Sequence, residues 1–217
     1  MSATWDRVEA VLRESLSALQ APDALWAEVG ALHSRGQRDY HGPQHLAELA
    51  EHYAQVAAGP GWSQAPEVAL ALLYHDAVYT PSFPGSEQAS AVVCEEAARR
   101  FALDLDARRS SQLIRWTAEH GRIEVEEASD ADAAHFLDAD MAILGAEPAR
   151  FDEYQRQVAA EYTHIGRWAY RVGRRRFLRG LARRPRLYHS AFFRQRYEER
   201  ARANLRRSLG WFGGGRR

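Results

Sequence analysis

Apolar residues recur at spacings of three and four along nearly the whole chain, which is the periodicity of one buried helix face. The first segment shows the pattern with Trp5, Val8, Leu12 and Leu16. Residues 123–125 could be mistaken for a strand, but an isolated strand has no partner with which to pair. The sequence therefore predicts an all-α fold.

The predicted helices are joined by short loops, and two of the helices are opened by Pro22 and Pro66. Ser86 is the expected N-terminal cap of the helix that follows it, and Gly121 is the expected end of another. The hydrophobic content of 46% lets 217 residues bury one large core, so we expect a single domain at 1–209 and a flexible tail at 210–217. The other helices are predicted at residues 5–19, 44–56, 86–101, 104–119, 130–144, 147–165, 167–183 and 192–209.

No stretch of the sequence approaches the roughly 20 apolar residues of a membrane-spanning helix. Residues 1–6 lack the basic and then apolar pattern of a secretory signal. These features predict a cytoplasmic protein without a membrane partner. Cys94 is the only cysteine, which excludes an internal disulfide and a cysteine-rich zinc site, so a bound metal would need nitrogen and oxygen ligands.

The charged residues divide the chain into an acidic part and a basic part. Residues 1–165 contain 12 arginines and 27 acidic residues, whereas residues 166–217 contain 17 arginines and two acidic residues. A basic tail can bind nucleic acid, but apolar residues recur through this one as they do on a packed helix. We therefore favour two complementary surfaces packed together and keep nucleic acid binding as the weaker interpretation.

His75 and Asp76 stand in an apolar segment that begins at residue 69, where an ordinary core helix would carry neither. We expect the helix opened by Pro66 to carry both residues. Two ionisable groups at a buried position cost several kcal/mol unless something compensates them, and a bound cation is a common compensation. The pair therefore predicts a metal site, with a metal-free buried hydrogen-bonded pair as the alternative.

Two further clusters have the same chemistry. The first contains His41 and His45, which are four residues apart and so share one side of a helix N-terminal end. The second contains Asp138 and Asp140, which would diverge by roughly 200° on a regular helix. These two aspartates therefore cannot both point at the same ion, and one of them has another role.

A histidine, a His-Asp pair and a further aspartate on successive helices resemble the HD superfamily of metal-dependent phosphohydrolases. The resemblance implies an HD-type helical bundle with its core at about 35–145 and additional Arg-rich C-terminal helices at 166–209. It covers most of the chain, because segments 86–91, 161–164, 173–174 and 201–205 are similar to an uncharacterised bacterial branch of predicted HD phosphohydrolases. Within these segments, Glu161 is expected to pack or hydrogen-bond below the site.

Residues 40–45 are also similar to the Tyr-His-Asn-x-x-His signature of cyclic nucleotide phosphodiesterases, with Gly42 in place of the asparagine. In that family the first histidine donates a proton and the second binds metal. The resemblance thus implies that His41 is the proton donor and that His45 is a metal ligand. His41 could instead orient the loop or bind a second metal.

Asp140 follows an alanine, as does the last metal ligand in both groups. This match implies that Asp140 is a ligand and leaves Asp138 a supporting or helix-surface role. With His45, His75 and Asp76, the site would contain two imidazoles and two carboxylates. Such ligands suit Mn²⁺, Fe²⁺, Co²⁺, Ni²⁺ or Zn²⁺ better than Ca²⁺, Mg²⁺ is an alternative, and one or two ions are expected because Asp76 could bridge to a second.

The predicted reaction follows from the chemistry of such an ion, which can bring the pKa of its bound water near neutrality and polarise a phosphoryl oxygen. We expect metal-bound hydroxide to attack phosphorus. His41 would then act as the general acid at the leaving oxygen, and Asp76 would be both a ligand and a catalytic residue.

Three further residues are candidates for substrate binding, each with a plainer alternative. His120 resembles a histidine near the pocket of many HD proteins, but a helix-terminal histidine is equally expected. Glu87 could be an acid near the site, although a glutamate in the first turn of a helix is ordinary. Arg174 could bind phosphate through its guanidinium, whereas a solvated or acid-paired helix face is the alternative for most of residues 174–176.

The favoured interpretation is a metal-dependent hydrolase of phosphate esters, either a phosphomonoesterase or a phosphodiesterase. Its expected substrate is a nucleotide or another small phosphorylated metabolite. The main alternative is a metal-binding or nucleotide-binding sensor that has the same metal-ligating residues but does not catalyse a reaction. The third is a nucleic-acid-binding protein that acts through its Arg-rich C-terminal part, and the oligomeric state stays open.

Overall fold

The computed structural model describes residues 3–36, 38–81, 84–120 and 122–211. These residues form α-helices and two short 3-10 helices, Ser17–Leu19 and Ala142–Gly145, and no strand occurs among them. The all-α prediction is confirmed. The α-helices are α1 (Ala3–Ser15), α2 (Asp23–His33), α3 (Pro43–Ala57), α4 (Ala65–Tyr74), α5 (Ser86–Arg100), α6 (Ala107–Thr117), α7 (Ala131–Met141), α8 (Pro148–Glu161), α9 (Arg167–Ala182) and α10 (Ala191–Trp211).

Several helix ends differ from the predicted ones. The chain leaves the first 3-10 helix at Gln20, whose φ of 46° lies in the left-handed region. Ser86 is the first residue of α5 rather than its cap, because Gly85 takes the cap position with a φ of 111° that only glycine adopts easily. The predicted helix end at Gly121 lies outside the described residues.

The C-terminal helix is longer than predicted. Its helical hydrogen bonding continues to Trp211, so the first two residues of the predicted flexible tail belong to α10. The remaining part of that prediction, residues 212–217, lies outside the described residues.

The helix α4 ends at Tyr74, directly before the His-Asp pair. The expectation that one helix carries both residues is therefore wrong. His75 is the C-cap residue of α4, and Asp76 lies in the turn that follows. The His75 Nδ1 atom lies 2.8 Å from the carbonyl oxygen of Leu72, so the imidazole N–H satisfies one of the last carbonyls of the helix.

Two clusters of buried apolar side chains form the core. The first contains residues of α1 to α6, and the second is built mainly from α8, α9 and α10. Helices α3 and α7 contribute to both clusters, with Leu46 and Phe136 in the first and Val56 and Ala139 in the second. Since His45 lies on α3 and Asp140 on α7, the helices between the two clusters carry two of the candidate ligands.

Ion pairs join the basic part of the chain to the acidic part. They support the interpretation of complementary packed surfaces, because four arginines after residue 183 contact carboxylates before residue 165. The pairs are Arg184 with Glu124 (2.6 Å), Arg186 with Glu126 (2.9 Å), Arg200 with Glu147 (2.7 Å) and Arg207 with Asp152 (2.6 Å). Among the described helices, none combines the length and the apolar character that crossing a membrane requires.

Candidate metal centre

Two helix ends bring three side-chain donor atoms together. His45 lies in the first turn of α3, and His75 and Asp76 lie at the end of α4. The Nε2 atoms of the two imidazoles are 3.1 Å apart. The Asp76 Oδ2 atom lies 3.1 Å from His75 Nε2 and 3.9 Å from His45 Nε2. This His-His-Asp group could hold a metal ion.

The spacing of these atoms fits a transition metal. At bond lengths of about 2.1 Å, two ligand atoms lie about 3.0 Å apart across an octahedral edge and about 3.4 Å apart across a tetrahedral edge. The two distances of 3.1 Å from His75 Nε2 are close to these values, whereas the 3.9 Å between His45 Nε2 and Asp76 Oδ2 is longer than either. Imidazole nitrogen and carboxylate oxygen are also ligands that such ions accept.

The orientation of His75 supplies a second argument for a cation. Its Nδ1–H donates to the carbonyl oxygen of Leu72, which leaves the lone pair of a neutral imidazole on Nε2. The His75 side chain is only 2% exposed, and its Nε2 atom faces the Nε2 atom of an equally buried His45. Nδ1 of His45 has no hydrogen-bond partner among the described residues, so its tautomer is free, and the 3.1 Å contact between the two Nε2 atoms requires a proton or a cation between them.

Asp140 lies beside the same imidazoles. Its Oδ1 atom is 3.1 Å from His45 Nε2 and 3.8 Å from His75 Nε2. Its second oxygen, Oδ2, is 2.6 Å from Nε2 of His120, which lies three residues beyond the end of α6. The structure thus brings the four predicted metal residues together, with His120 in direct contact with one of them.

The carboxylates dominate the electrostatics of the cluster. Burial opposes a charged His75, but the Asp76 and Asp140 carboxylates outweigh this effect and raise the pKa of His75 to about 9. Burial likewise opposes ionisation of Asp76 and Asp140, yet the neighbouring histidines lower the pKa of both carboxyl groups below the ordinary value. Both aspartates are therefore ionised at neutral pH and favour positive charge between them.

His41 lies next to the donor cluster, which is formed by His45, His75, Asp76 and Asp140, and its imidazole is held by a buried carboxylate. Its Nδ1 atom is 2.7 Å from Oε2 of Glu161, whose side chain is fully buried. Glu161 also accepts hydrogen bonds from the backbone N–H of Tyr40 (2.7 Å), the backbone N–H of His41 (3.0 Å) and the Tyr79 hydroxyl (2.8 Å). The His41 ring stacks on Tyr79 with 4.2 Å between centroids.

Burial tends to raise the pKa of Glu161, but the hydrogen bonds from His41 and from the backbone outweigh burial and lower it. Glu161 is therefore a charged acceptor that fixes the Nδ1–H tautomer of His41. The sequence predicted only packing or a hydrogen bond below the site for this residue, and the structure specifies His41 as the partner.

Arg38 is a structural residue that the sequence reading missed. Its guanidinium donates to the backbone carbonyls of His41 (3.2 Å), Asp76 (2.6 Å) and Ala77 (3.2 Å). It also lies over the ring of Tyr79, 5.6 Å from the centroid. One side chain thus joins the loop before α3 to the turn after α4, the two segments that position the donors.

A cavity of about 530 Å³ opens beside the donor cluster. His41, His120, Asp140 and Arg174 line it, whereas Glu87 lies in the first turn of α5 and is not among its described lining residues. The other described lining residues are Tyr40, Thr117, Ala118, Arg122, Met141, Ile143, Tyr154, Val158, Tyr162, Ile165, Tyr170, Gly173 and Phe177.

Asp138 does not lie on a helix surface, so that part of the prediction is wrong. Its side chain is buried and accepts hydrogen bonds from the backbone N–H of His189, the backbone N–H of Ser190 and the Ser190 hydroxyl, each at 2.7 Å. These groups directly precede α10. Asp138 therefore anchors the start of the C-terminal helix, while Asp140 on the same helix faces the histidines.

Comparisons of the chain with protein-family models, with curated proteins and with solved structures find no significant match. The HD resemblance therefore depends on the sequence motifs alone.

Proposed function

We propose that the protein is a metal-dependent hydrolase of phosphate esters. The observation that carries the proposal is that two imidazoles and two carboxylates lie together beside a cavity. A third histidine, His41, lines the same cavity and is oriented by the Glu161 carboxylate. A bound metal explains the buried donor cluster, and His41 supplies a proton-transfer group at its edge. The HD-type motifs of the sequence point to the same reaction class.

In this proposal His45, His75, Asp76 and Asp140 hold the ion. When bound, a divalent transition metal supplies a Lewis acid that polarises a phosphoryl oxygen and lowers the pKa of water. His120, hydrogen-bonded to the outer oxygen of Asp140, is placed to orient that carboxylate and to bind a phosphoryl oxygen. A second, weaker ion bridged by Asp76 stays a prediction of the sequence.

His41 would act as the general acid. Because its Nδ1–H donates to Glu161, the other ring nitrogen is the one that gives a proton to the leaving oxygen. The charged Glu161 stabilises the protonated imidazole before transfer and keeps the ring in one orientation. The stacked Tyr79 ring limits rotation of the imidazole.

The cavity matches a small phosphorylated substrate. Its volume of about 530 Å³ is typical of sites for small organic ligands. Tyrosine and phenylalanine side chains form much of the wall, and Arg122, Arg174 and His120 contribute basic groups. A nucleotide, or another phosphate ester with a ring of similar size, fits this combination of aromatic and basic groups.

Phosphate release by chelator-treated protein tests the proposal. We expect no release without metal, and release from a nucleotide or a generic phosphoester after addition of Mn²⁺, Co²⁺, Ni²⁺ or Zn²⁺. Asp76→Ala should lose both bound metal and activity, whereas Glu87→Gln should keep both because Glu87 does not line the cavity. Metal retention without turnover across a broad phosphoester panel would favour the sensor.

The nucleic acid alternative receives less support, because four arginines of the basic part of the chain, residues 166–217, are already paired with carboxylates of the same chain. Salt-sensitive DNA binding would nevertheless establish it, since phosphate contacts release counterions. Wild-type protein that binds neither DNA nor RNA at low salt would exclude this function.

A further inference from the structure

Arg174 is one of the residues that line the cavity. Its Nε atom donates to Gln155 Oε1 at 2.9 Å, and its central carbon lies 4.9 Å from the centroid of the Tyr154 ring and 5.4 Å from that of Phe177. Gln155 and the two rings fix the side chain in one orientation. A neutral amide and aromatic faces orient a guanidinium without neutralising its charge.

Within the described residues, Arg174 forms no salt bridge, and its buried Nη2 atom has no hydrogen-bond partner. Arg184, Arg200 and Arg207 in the same basic part of the chain each contact a carboxylate. A buried guanidinium nitrogen without an acceptor is costly, because its hydration is lost and no hydrogen bond replaces it. Arg174 is therefore a cation that has no anionic partner among the described residues.

The remaining charges of the cavity also favour an anion. Asp140 is the sole carboxylate among its described lining residues, and Asp140 is already engaged by His45 and His120. Arg122 adds a second positive charge to the lining. An anionic group that enters the cavity near Arg174 thus meets positive charge. The one carboxylate in the described lining, that of Asp140, is already in contact with histidines.

Arg174 is separate from the donor cluster. The His45 ring contacts Tyr40 with 4.8 Å between centroids, Tyr40 contacts Tyr154 at 4.6 Å, and the guanidinium lies on Tyr154. Two aromatic rings thus lie between His45 and Arg174. A phosphoryl group held by the donor cluster leaves Arg174 available for another part of the same molecule.

We propose that Arg174 binds a second anionic group of the substrate, so that the preferred substrates carry one anionic group at the donor cluster and another at the guanidinium. The identity of the first group as the reacting phosphate rests on the proposed function. The second can be a phosphate or a carboxylate, since either accepts two parallel hydrogen bonds from a guanidinium. Arg174 would thereby determine specificity without taking part in the chemical step.

Paired phosphonates test this proposal, because their C–P bonds are not cleaved by phosphoester hydrolysis and binding is then measured apart from turnover. Metal-supplemented full-length protein is titrated with an alkane monophosphonate and with bisphosphonates of the same chain type and of increasing length. We expect the wild type to bind one of the bisphosphonates about ten- to a hundredfold more tightly than the monophosphonate. Arg174→Gln should remove the preference, and Arg174→Lys should keep part of it.

Arg179→Gln is the matched control, because Arg179 is exposed on the same helix and does not line the cavity. Its preference should equal that of the wild type, and thermal unfolding verifies that each variant is folded. A wild type without preference, or an Arg174→Gln variant that keeps it, overturns the proposal. An Arg174-dependent preference without hydrolysis of any phosphoester would uphold Arg174 as an anion site while contradicting the proposed function.

Discussion

Glu161 accepts a hydrogen bond of 2.7 Å from Nδ1 of His41, although 120 residues separate them in the sequence. The carboxylate is fully buried, and its other partners are two backbone N–H groups and the Tyr79 hydroxyl. Three of these four hydrogen bonds come from His41 or the loop that presents it, and the fourth comes from Tyr79, whose ring stacks on His41. In the proposed function this relationship gives Glu161 the role of positioning His41 for proton transfer, and that role can be tested separately from metal binding.

Glu161→Gln should lower kcat by about 100-fold, since general acid catalysis of this kind contributes about 100-fold or more. The amide cannot stabilise a protonated His41, and it can present its NH₂ group to Nδ1. KM and bound metal should stay near the wild-type values because Glu161 does not belong to the donor cluster. Steady-state kinetics over a range of pH and elemental analysis measure the three quantities.

Tyr79→Phe is the control for this experiment, because it keeps a ring against His41 and removes one of the four hydrogen bonds to Glu161. Its kcat should fall by less than about tenfold. Unchanged kcat and an unchanged pH profile in Glu161→Gln would show that Glu161 serves the fold alone.

Arg38→Gln should lower both stability and metal affinity. The substitution removes hydrogen bonds to the carbonyls of His41, Asp76 and Ala77, which should cost about 2 to 4 kcal/mol in the free energy of unfolding. Metal affinity should fall because the turn that carries Asp76 is no longer held to the preceding loop. Urea unfolding and metal titration measure the two effects.

Arg35→Gln provides the comparison, since Arg35 is exposed and close in sequence. Its free energy of unfolding should stay within about 0.5 kcal/mol of the wild-type value. Equal metal affinity in the wild type and Arg38→Gln would contradict a linking role for Arg38.

Asp138 and Asp140 should respond in opposite ways to substitution. Asp138→Ala leaves two buried backbone N–H groups without acceptors, so its free energy of unfolding should fall by about 3 to 5 kcal/mol. Asp138→Asn keeps an acceptor and should lose less stability, with normal metal content. Asp140→Ala should lose metal. Normal metal content in Asp140→Ala would remove Asp140 from the proposed ligand set.

Helical periodicity was sufficient to predict the all-α fold and the location of most helices, because a buried helix face imposes its spacing on the sequence. The errors lie at helix ends, where single residues decide the outcome. Gly85 took the cap position expected of Ser86 through a positive φ, and α4 ended before His75, whose side chain satisfies a terminal carbonyl. Neither feature changes the periodicity of apolar residues in the sequence, so periodicity cannot predict it.

The candidate site shows the same division. The sequence predicts four metal ligands, His45, His75, Asp76 and Asp140. The prediction is possible because histidines and aspartates stand in otherwise apolar segments and resemble the motifs of a known family. Arg38 was missed because its contacts are to backbone carbonyls, which carry no sequence signature. The partner of Glu161 was also missed, since an ordinary glutamate at a helix end gives no sign of a contact 120 residues away.

Acid should destabilise the protein through His33. This buried histidine donates to the carbonyl of Leu73, and its burial lowers its pKa from 6.5 to about 3. Between these values the unfolded chain binds a proton that the folded chain does not, so stability decreases as the pH falls. His33→Gln removes this linkage, and its free energy of unfolding relative to the wild type should improve by about 2 kcal/mol between pH 7 and pH 5.

Urea unfolding at the two pH values measures this change, and histidines common to both proteins contribute equally to each. A constant difference between wild type and His33→Gln would show that His33 is not held neutral in the folded protein.

Titration of chelator-treated full-length protein with Mn²⁺ or Zn²⁺, followed by calorimetry, most directly tests the central claim that His45, His75, Asp76 and Asp140 form a metal site. We expect one or two ions per chain for the wild type and for the control His164→Gln, whose histidine is exposed and outside the cavity lining. His75→Gln should lose the tightest binding. Absence of binding to the wild type, or equal binding to His75→Gln, would contradict the account.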